Sequence, residues 1–532
     1  MGKKRVVITG IGIVSPVGLE RETFWNAVTN GKPNFSKISS FSTSPFRTKI
    51  AAEIKEFNPE SYFPKKVINQ ISRFAQFALI ASKLSLSDTH VKLDTIDKNR
   101  FGIILGTGIG GIDITERQHR DLTQKGINEI NPHGAAYANP NAASGYVAYM
   151  LGAKGPNITI STGCSSGLNA IGIAYDMIQN DRADIIIAGG VEAPITPLVF
   201  STFDASRQMS IQNNDPNAAV KPFDKNRDGF LLSEGAGIVL LESVEHALSR
   251  MAYLYGEIIG YGVTSDAFND ISVDPQGSAA AEAMKSALIN AHCDPKDIDV
   301  LFAHASSSKL GDRKEANAIK KVFAPQFDTL KVTSIKGVTG MPFGAAGGFQ
   351  LAASLLGMEY GEIPPTIGTE NIDPECELPL VLNKKQTAAY NTALINSFGI
   401  GGNNTSLIVR RGNVVDKVTI KDLSEQTKQI LTETGQAVKQ SSYEQKKLHL
   451  NVDEFKRHRE AEVSSHAAER QQKALEFLKK NKRITNKEYR LMFNISHKTA
   501  YFELLDLVER KIIEPQGMGR STGYVLKQKN ND

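Results

Sequence analysis

Short, β-branched apolar runs recur along the first three quarters of the chain, separated by small-residue stretches of helical character. The runs are Val6–Ile8, Ile103–Leu105, Ile158–Ile160, Ile185–Ile187, Ile238–Leu241, Val300–Phe302 and Ser406–Val409. Unbroken rather than alternating apolarity marks strands covered on both faces. Stretches such as Leu168–Ile178 and Ala280–Ile289 supply the covering helices. The pattern predicts an α/β fold over residues 1–412, with helices on both sides of a buried sheet. Gly-rich turns lie near strand ends at Gly106–Gly111, Gly344–Gly348 and Gly399–Gly402. Such turns allow positive φ or close backbone approach.

Composition narrows the class. At 532 residues, with 41% hydrophobic and 22% charged residues, the chain is ordinary globular protein. Roughly 100–200 residues per domain leaves room for one large double domain and an appendage. The cysteines Cys164, Cys293 and Cys376 are too few and scattered for a disulfide framework or a zinc site. No run reaches the roughly 18 apolar residues of a membrane span. The opening MGKKRVVITGIG lacks an apolar segment before a cleavage site. A cytoplasmic location, no metal and no membrane span are expected.

Charge is uneven. Residues 471–532 carry 13 Lys and Arg against 7 Asp and Glu, whereas the other 470 residues carry 49 against 50. A basic tail on a neutral body points to an anionic partner or to a solvated surface. Residues 413–470 are rich in Gln, Glu, Lys, Ser and His and read as a charged helical linker, either flexible or packed on the body. Hydrophobic patterning returns after 471. Ala474–Leu478 fits a short helix, Thr485 or Asn486 starts another, and Ser496 caps a longer one with Ala500, Leu504, Leu507 and Val508 on its apolar stripe. Ile512–Glu514 and Tyr524–Leu526 read as a two-stranded hairpin. This order resembles the C-terminal winged helix-turn-helix modules of some helicase-like regulators, an α+β domain.

Cys164 lies in NITISTGCSSGLNAIGIAYDMI, where a strand ends, small residues turn the chain, and a helix begins near Ser165. A thiol on such an elbow is expected to be exposed and to gain thiolate character from the helix N-terminus. A buried structural thiol is the other reading of the same residues.

Eight stretches, in order, carry a family resemblance. They are VVITGIGIVSPVG (6–18), GTGIGG (106–111), NPNAASG (139–145), STGCSSG (161–167), KPFDKNRDGFLLSEGAG (221–237), DRKEANAIKKVF (312–323), KGVTGMPFGAAGG (336–348) and NSFGIGGNN (396–404). In these, residues 1–412 closely resemble the type II β-ketoacyl-acyl-carrier-protein synthases. The resemblance implies a thiolase-like duplicated core of α-β-α-β-α layers, with halves at 1–250 and 251–412, followed by the 413–470 linker and the 471–532 module. It implies Cys164 as the nucleophile that takes an acyl group from a carrier thioester. His304, Lys336 and Glu315 match the histidine, lysine and buried glutamate that support decarboxylation of a malonyl unit. Ser306 and Ser308 stand for the threonines that bind the pantetheine arm, and Ala305 for the glycine before them.

The departures gather on the same pocket. The family's second histidine follows a glycine. Here Gly340 is followed by Met341, then Pro342 and Phe343. A thioether is a weak acceptor and donates no hydrogen bond. Ile400 stands for the phenylalanine that gates the acyl channel and gives a backbone N–H to the oxyanion hole. Asn403 stands for a threonine, while Asn404 matches. Phe268 and Asn269 stand for a Tyr-His pair.

Two functions are expected from this. The first is a ketosynthase-like acyltransferase or condensing enzyme of polyketide, fatty-acid-like or antibiotic biosynthesis, with decarboxylation altered by Met341. Its substrate would be the phosphopantetheine arm of an acyl carrier protein, with no tightly bound cofactor. Homodimers are implied, with Ile109 near the neighbour's pocket, and a heterodimer with another ketosynthase is the variant. Lys65 and Lys66 would meet an acidic carrier. The second is a non-condensing sensor or scaffold whose module binds DNA or a protein, with Lys498, Lys487 and Arg520 on phosphates.

Overall fold

The structure, a computed structural model, describes residues 3–89, 91–412, 452–493, 495, 497–510, 512–516 and 523–527. These fall into two compact units, one ending at Gly412 and one beginning at Val452.

The first unit is a duplication about one ten-stranded sheet. Its first half supplies β1 (Val6–Val14), β2 (Phe101–Gly106), β3 (Asn157–Ile160), β4 (Ile185–Glu192) and β5 (Gly235–Ser243). Its second half supplies β6 (Gly256–Ser265), β7 (Val300–Phe302), β8 (Lys331–Thr333), β9 (Thr392–Gly399) and β10 (Asn403–Arg411). The spatial order is β3-β2-β4-β5-β1-β6-β10-β9-β7-β8. Read outward from the β1–β6 seam, each half repeats the same order and strand directions. Within each, the strand pairings β2–β3, β2–β4 and their counterparts β7–β8, β9–β7 are parallel, and the rest are antiparallel. The seam is an antiparallel pairing of Val6 with Ile258 through Ile8 with Gly256.

Helices make the other layers. α1 (Arg73–Asp88) packs on β1 and β5, and α3 (Ser278–Ala291) packs on β6 and β10. α4 (Lys309–Phe323) packs on α3. Between the halves lie α2 (Ser166–Gln179) and α5 (Ala346–Tyr360), in contact with each other and with strands. Fourteen of the fifteen residues of α5 are buried. A helix covered all round must be apolar all round, which explains AGGFQLAASLLGM. The result is the thiolase-like layering that the resemblance implied. Gly10 and Gly12 belong to it: a Cβ there would meet Ser85 O at 2.2 Å and Ala81 O at 1.9 Å, so β1 lies directly on α1. The strand therefore continues to Val14, beyond its β-branched start.

The second unit runs α6 (Val452–Asn481), β11 (Ile484–Thr485), α7 (Asn486–Phe493), α8 (His497–Glu509), β12 (Ile513–Gln516) and β13 (Gly523–Leu526). The strands form a sheet in the order β11-β13-β12, one strand more than the expected hairpin. Thr485 is the cap of α7: its Oγ1 accepts from Glu488 N at 3.2 Å, and Glu488 Oε2 accepts from Thr485 N at 2.7 Å. Ala474, Leu478, Tyr489, Ala500, Leu504 and Leu507 make the core.

Two expectations change here. The boundary expected at residue 470 falls inside α6, because Gln471, Ala474 and Leu478 anchor that helix in this core. Glu503, one of the seven acidic residues of the basic tail, is not on the surface but buried. It takes the Tyr489 hydroxyl at 2.7 Å and the Arg470 guanidinium. Residues 413–451, Ser496 and Arg520 lie outside the described residues. Lys487 is exposed on α7, and Lys498 is a position on α8.

Candidate active site

β3 ends at Ile160, Gly163 turns the chain at φ +62°, and Cys164 occupies a short 3-10 turn leading into α2. A Cβ on Gly163 would lie 3.3 Å from both N and O of Ile400, so glycine also admits the turn after β9. Side chains lace the elbow together. Ser166 Oγ accepts from Thr162 N at 2.9 Å, Asn169 Nδ2 donates to Thr162 Oγ1 at 2.8 Å, and Ser397 Oγ donates to the Cys164 carbonyl at 3.0 Å. Cys164 is 4% exposed, not on open surface as the elbow pattern led us to expect. Burial pushes the thiol up to about 12, with Glu192 adding to the shift; the N–H groups of Ile400 and Cys164 itself, and the Lys336 charge, pull the other way. The helix terminus is therefore outweighed by desolvation, and the resting group is a thiol.

His304 follows β7. Its ring is buried, 5.9 Å from the Phe398 ring, and its Nδ1 has no hydrogen-bond partner among the described residues. Burial holds its pKa well below the usual value, reinforced by Lys336 and Lys314. The imidazole is neutral, with a free nitrogen. Glu315, from α4, takes His304 N at 2.8 Å and Ala305 N at 2.7 Å, and it also accepts from Asn396 Nδ2 at 3.1 Å. It fixes the backbone that carries the histidine. Burial raises its pKa. Lys336 is 1% exposed and its Nζ donates to the His304 carbonyl at 3.0 Å and to Gln350 Oε1 at 3.1 Å.

Met341 is buried in one apolar cluster with Cys164, Phe200, Phe230 and Phe343, against which Ile109 and Phe203 pack. Its backbone is pinned beside Leu232: Met341 N donates to Leu231 O at 2.8 Å and Ser233 N donates to Met341 O at 3.1 Å. Phe343 has φ +38°, an uncommon conformation for a bulky residue. Its ring stacks on Phe203 at 5.1 Å and meets the Phe230 edge at 6.0 Å.

Ile400, 43% exposed, sits at the turn after β9 with its N–H toward the thiol. Of the two serines, Ser306 is 7% exposed, whereas Ser308 Oγ caps α4 by accepting from Gly311 N at 3.2 Å. Phe268 and Asn269 lie exposed on the loop after β6. Lys65 and Lys66 are exposed on a short helix.

Three site residues escaped the sequence reading. Glu192, fully buried at the end of β4, accepts from Gly108 N, Ile109 N, Thr107 Oγ1 and Gly344 N at 2.6–3.1 Å. It joins two Gly-rich turns beneath the elbow. A carboxylate ending the apolar run IIIAGGV was its signal. Gln350 is a lone amide within apolar α5. Lys314 is 1% exposed and donates to Asp266 Oδ2 at 2.6 Å and Asn404 Oδ1 at 2.7 Å.

The comparisons with known proteins agree with this architecture. Residues 3–247 match the family model of the beta-ketoacyl synthase N-terminal domain, and residues 255–370 match that of its C-terminal domain. The chain is 39% identical over 408 residues to 3-oxoacyl-[acyl-carrier-protein] synthase 2 of Staphylococcus aureus (strain COL), covering 77% of this chain and 98% of that protein. It is 37% identical over 409 residues to the protein of the same name from Synechocystis sp., again covering 77% and 98%. Among solved structures, AntDE:AntF, a type II PKS acyl-carrier protein in complex with its ketosynthase bound to the hexaketide, superposes with a TM-score of 0.72. The identity is 32%, over 77% of this chain and 99% of that one. The ishigamide ketosynthase/chain length factor gives 0.71 at 29% identity, over 77% and 100%. A duplicated layered core, a cysteine elbow and matches to both domain models agree: the chain belongs to the beta-ketoacyl synthase family, as an acyltransferase of the condensing type.

Proposed function

We propose that the protein takes an acyl group from the phosphopantetheine thioester of an acyl carrier protein onto Cys164 and passes it to a second nucleophile, in fatty-acid or type II polyketide synthesis. The observation that carries this reading is the buried Cys164 thiol with the N–H groups of Ile400 and Cys164 directed at it. In loading, the Cys164 sulfur forms a bond to the thioester carbonyl carbon, and the pantetheine C–S bond breaks. The departing thiolate takes up a proton as the Cys164 thiol loses one. Two backbone donors stabilise the oxyanion between these events. Ser306 contacts the pantetheine arm; Ser308 holds α4 in place more than it holds the arm.

In condensation a malonyl unit loses CO2, and its enolate attacks the Cys164 thioester. His304 is the neutral donor to the enolate oxygen. Met341 gives no second donor, which lowers decarboxylation on the order of 10²–10³-fold. The enzyme is therefore tuned toward a carbanion formed slowly, or toward an amine or hydroxyl acceptor. The edge strand β3, with Ile158 and Ile160 half-buried, pairs with a second ketosynthase-like chain. Intact masses of the protein, an acyl carrier protein and a malonyl carrier protein after incubation test the reading. An adduct on the protein that is lost in Cys164→Ser supports it. A persistent adduct on Cys164→Ser, or none on the wild type, removes it.

A second reading concerns the C-terminal unit. Its order of helix, strand, helix, helix, strand, strand, with the third strand between the other two, supports a winged helix. The basic tail supports DNA as its partner, through Lys487, Lys498 and Arg520. Duplex binding that falls steeply with added salt is expected; no binding at low salt would remove this second reading.

A further inference from the structure

Among the described residues, Lys336 has no salt-bridge partner at hydrogen-bond distance. Both acceptors of its Nζ are neutral: the His304 carbonyl at 3.0 Å and Gln350 Oε1 at 3.1 Å. Gln350 itself is locked. Its Nε2 faces three carbonyls, Phe302 O at 3.4 Å, Ala303 O at 2.9 Å and Asn396 O at 3.1 Å. Only a donor can face three carbonyl oxygens, so the amide has one orientation and its oxygen must face Lys336. A carboxylate in the same place would set an oxygen against those carbonyls.

Other charged or titratable groups act on Lys336 from a distance. Glu315 and Asp312 do so from α4, and Cys164 does so from the elbow. His304 lies alongside, and Lys314 adds positive charge near that ring. Burial lowers Lys336 to about 8, against the opposing effect of Glu315, Cys164 and Asp312. The charge on Lys336 in turn favours the Cys164 thiolate.

We infer that Gln350 is a positioning residue, whose amide holds Lys336 against the His304 carbonyl while leaving the charge beside Cys164 adjustable rather than fixed by an ion pair. The exchanged proton is the one on Nζ, and its other partner is solvent water. This inference rests on the proposed site, with Cys164 as its nucleophile.

Alkylation of Cys164 by iodoacetamide, followed by intact mass from pH 6 to 10, tests it on the full chain. The logarithm of the rate should rise steadily with pH and break to a shallower slope near pH 8, where Lys336 loses its proton. Lys336→Met should remove the break. In Gln350→Glu an ion pair forms, and the break should move up by about one pH unit or more. In Gln350→Met the acceptor is lost and the break should move down. If Gln350→Glu does not fold, Gln350→Met decides alone. A break that stays in place in a folded Gln350 variant, or a wild type with none, overturns the inference. Iodoacetamide needs no carrier protein, so the two readings fail separately. Absent acyl loading with a moving break would remove only the proposed function; acyl loading with a fixed break would remove only this inference.

Discussion

A methionine beside a reacting thioester can pack but cannot donate a hydrogen bond. Met341 does the first, within the cluster of Phe200, Phe230 and Phe343. Met341→His would return a donor to this apolar cluster, where burial should favour a neutral imidazole as it does at His304. Carbon dioxide release from a malonyl carrier protein should then rise on the order of 10²-fold. An unchanged rate would show that the missing donor does not limit decarboxylation. The residues of the proposed chemistry could be picked out in the sequence because each sits inside a contiguous motif: Cys164 in its elbow, Met341 after Gly340. Glu192 and Lys314 were not, because their partners are remote. Glu192 meets Gly108 84 positions away, and Lys314 meets Asn404 90 positions away. The protonated state of Cys164 was hidden for a related reason. A helix N-terminus is visible in sequence, whereas the burial that outweighs it is set by the aromatic residues of distant segments.

At the scale of elements, glycines set how closely α2, β4 and the turn before α5 approach. A Cβ on Gly167 would lie 2.2 Å from Gly344 O, and one on Gly190 would lie 1.9 Å from it. The obstacle is backbone and cannot rotate aside. Gly167→Ala should therefore cost about 1–3 kcal/mol by overpacking, read as a lower urea midpoint with unchanged slope. It should also slow Cys164 loading, because the Gly344 turn and the elbow share Glu192 and its neighbours. A midpoint equal to wild type would mean that the helices separate freely. Helix limits were well signalled here: Leu168–Ile178 was expected, and Ser166–Gln179 is observed. Strand limits were less so. The GIGI stretch of β1 has no β-branched signature at its glycines, and its extension to Val14 follows from packing on α1.

At the scale of the whole molecule, the two halves of the first unit meet along the β1–β6 seam, and charges are buried within the first half. Glu242, at the end of β5, is one of these. Burial would raise it, yet Arg250 and His246 outweigh burial and hold it down at about 2. A carboxylate depressed in this way stabilises the fold above its unfolded value near 4.5, and the contribution disappears as pH falls from there toward 2. Acid unfolding should begin in that window, and Glu242→Gln should flatten it; an equally steep acid limb in the variant would assign the loss elsewhere. The division into units sets the last expectation. Cys164, His304, Lys336, Glu315, Glu192 and Gln350 all lie before Gly412, and the Staphylococcus relative is matched over 98% of its length by 408 residues. A unit with its own core that carries all the candidate residues is expected to fold without the other, so a chain ending at Gly412 should still load Cys164 at a rate comparable to the full protein. The α/β pattern of the sequence ends at 412, where the texture turns polar. What it could not mark is whether the second unit contributes to the reaction. Loading retained in the shortened chain makes the C-terminal unit an independent attachment, to be studied through its own partner. Loading lost in a shortened chain that remains folded by circular dichroism would make that unit part of the catalytic apparatus, and the family resemblance of the first unit would then describe only part of the enzyme.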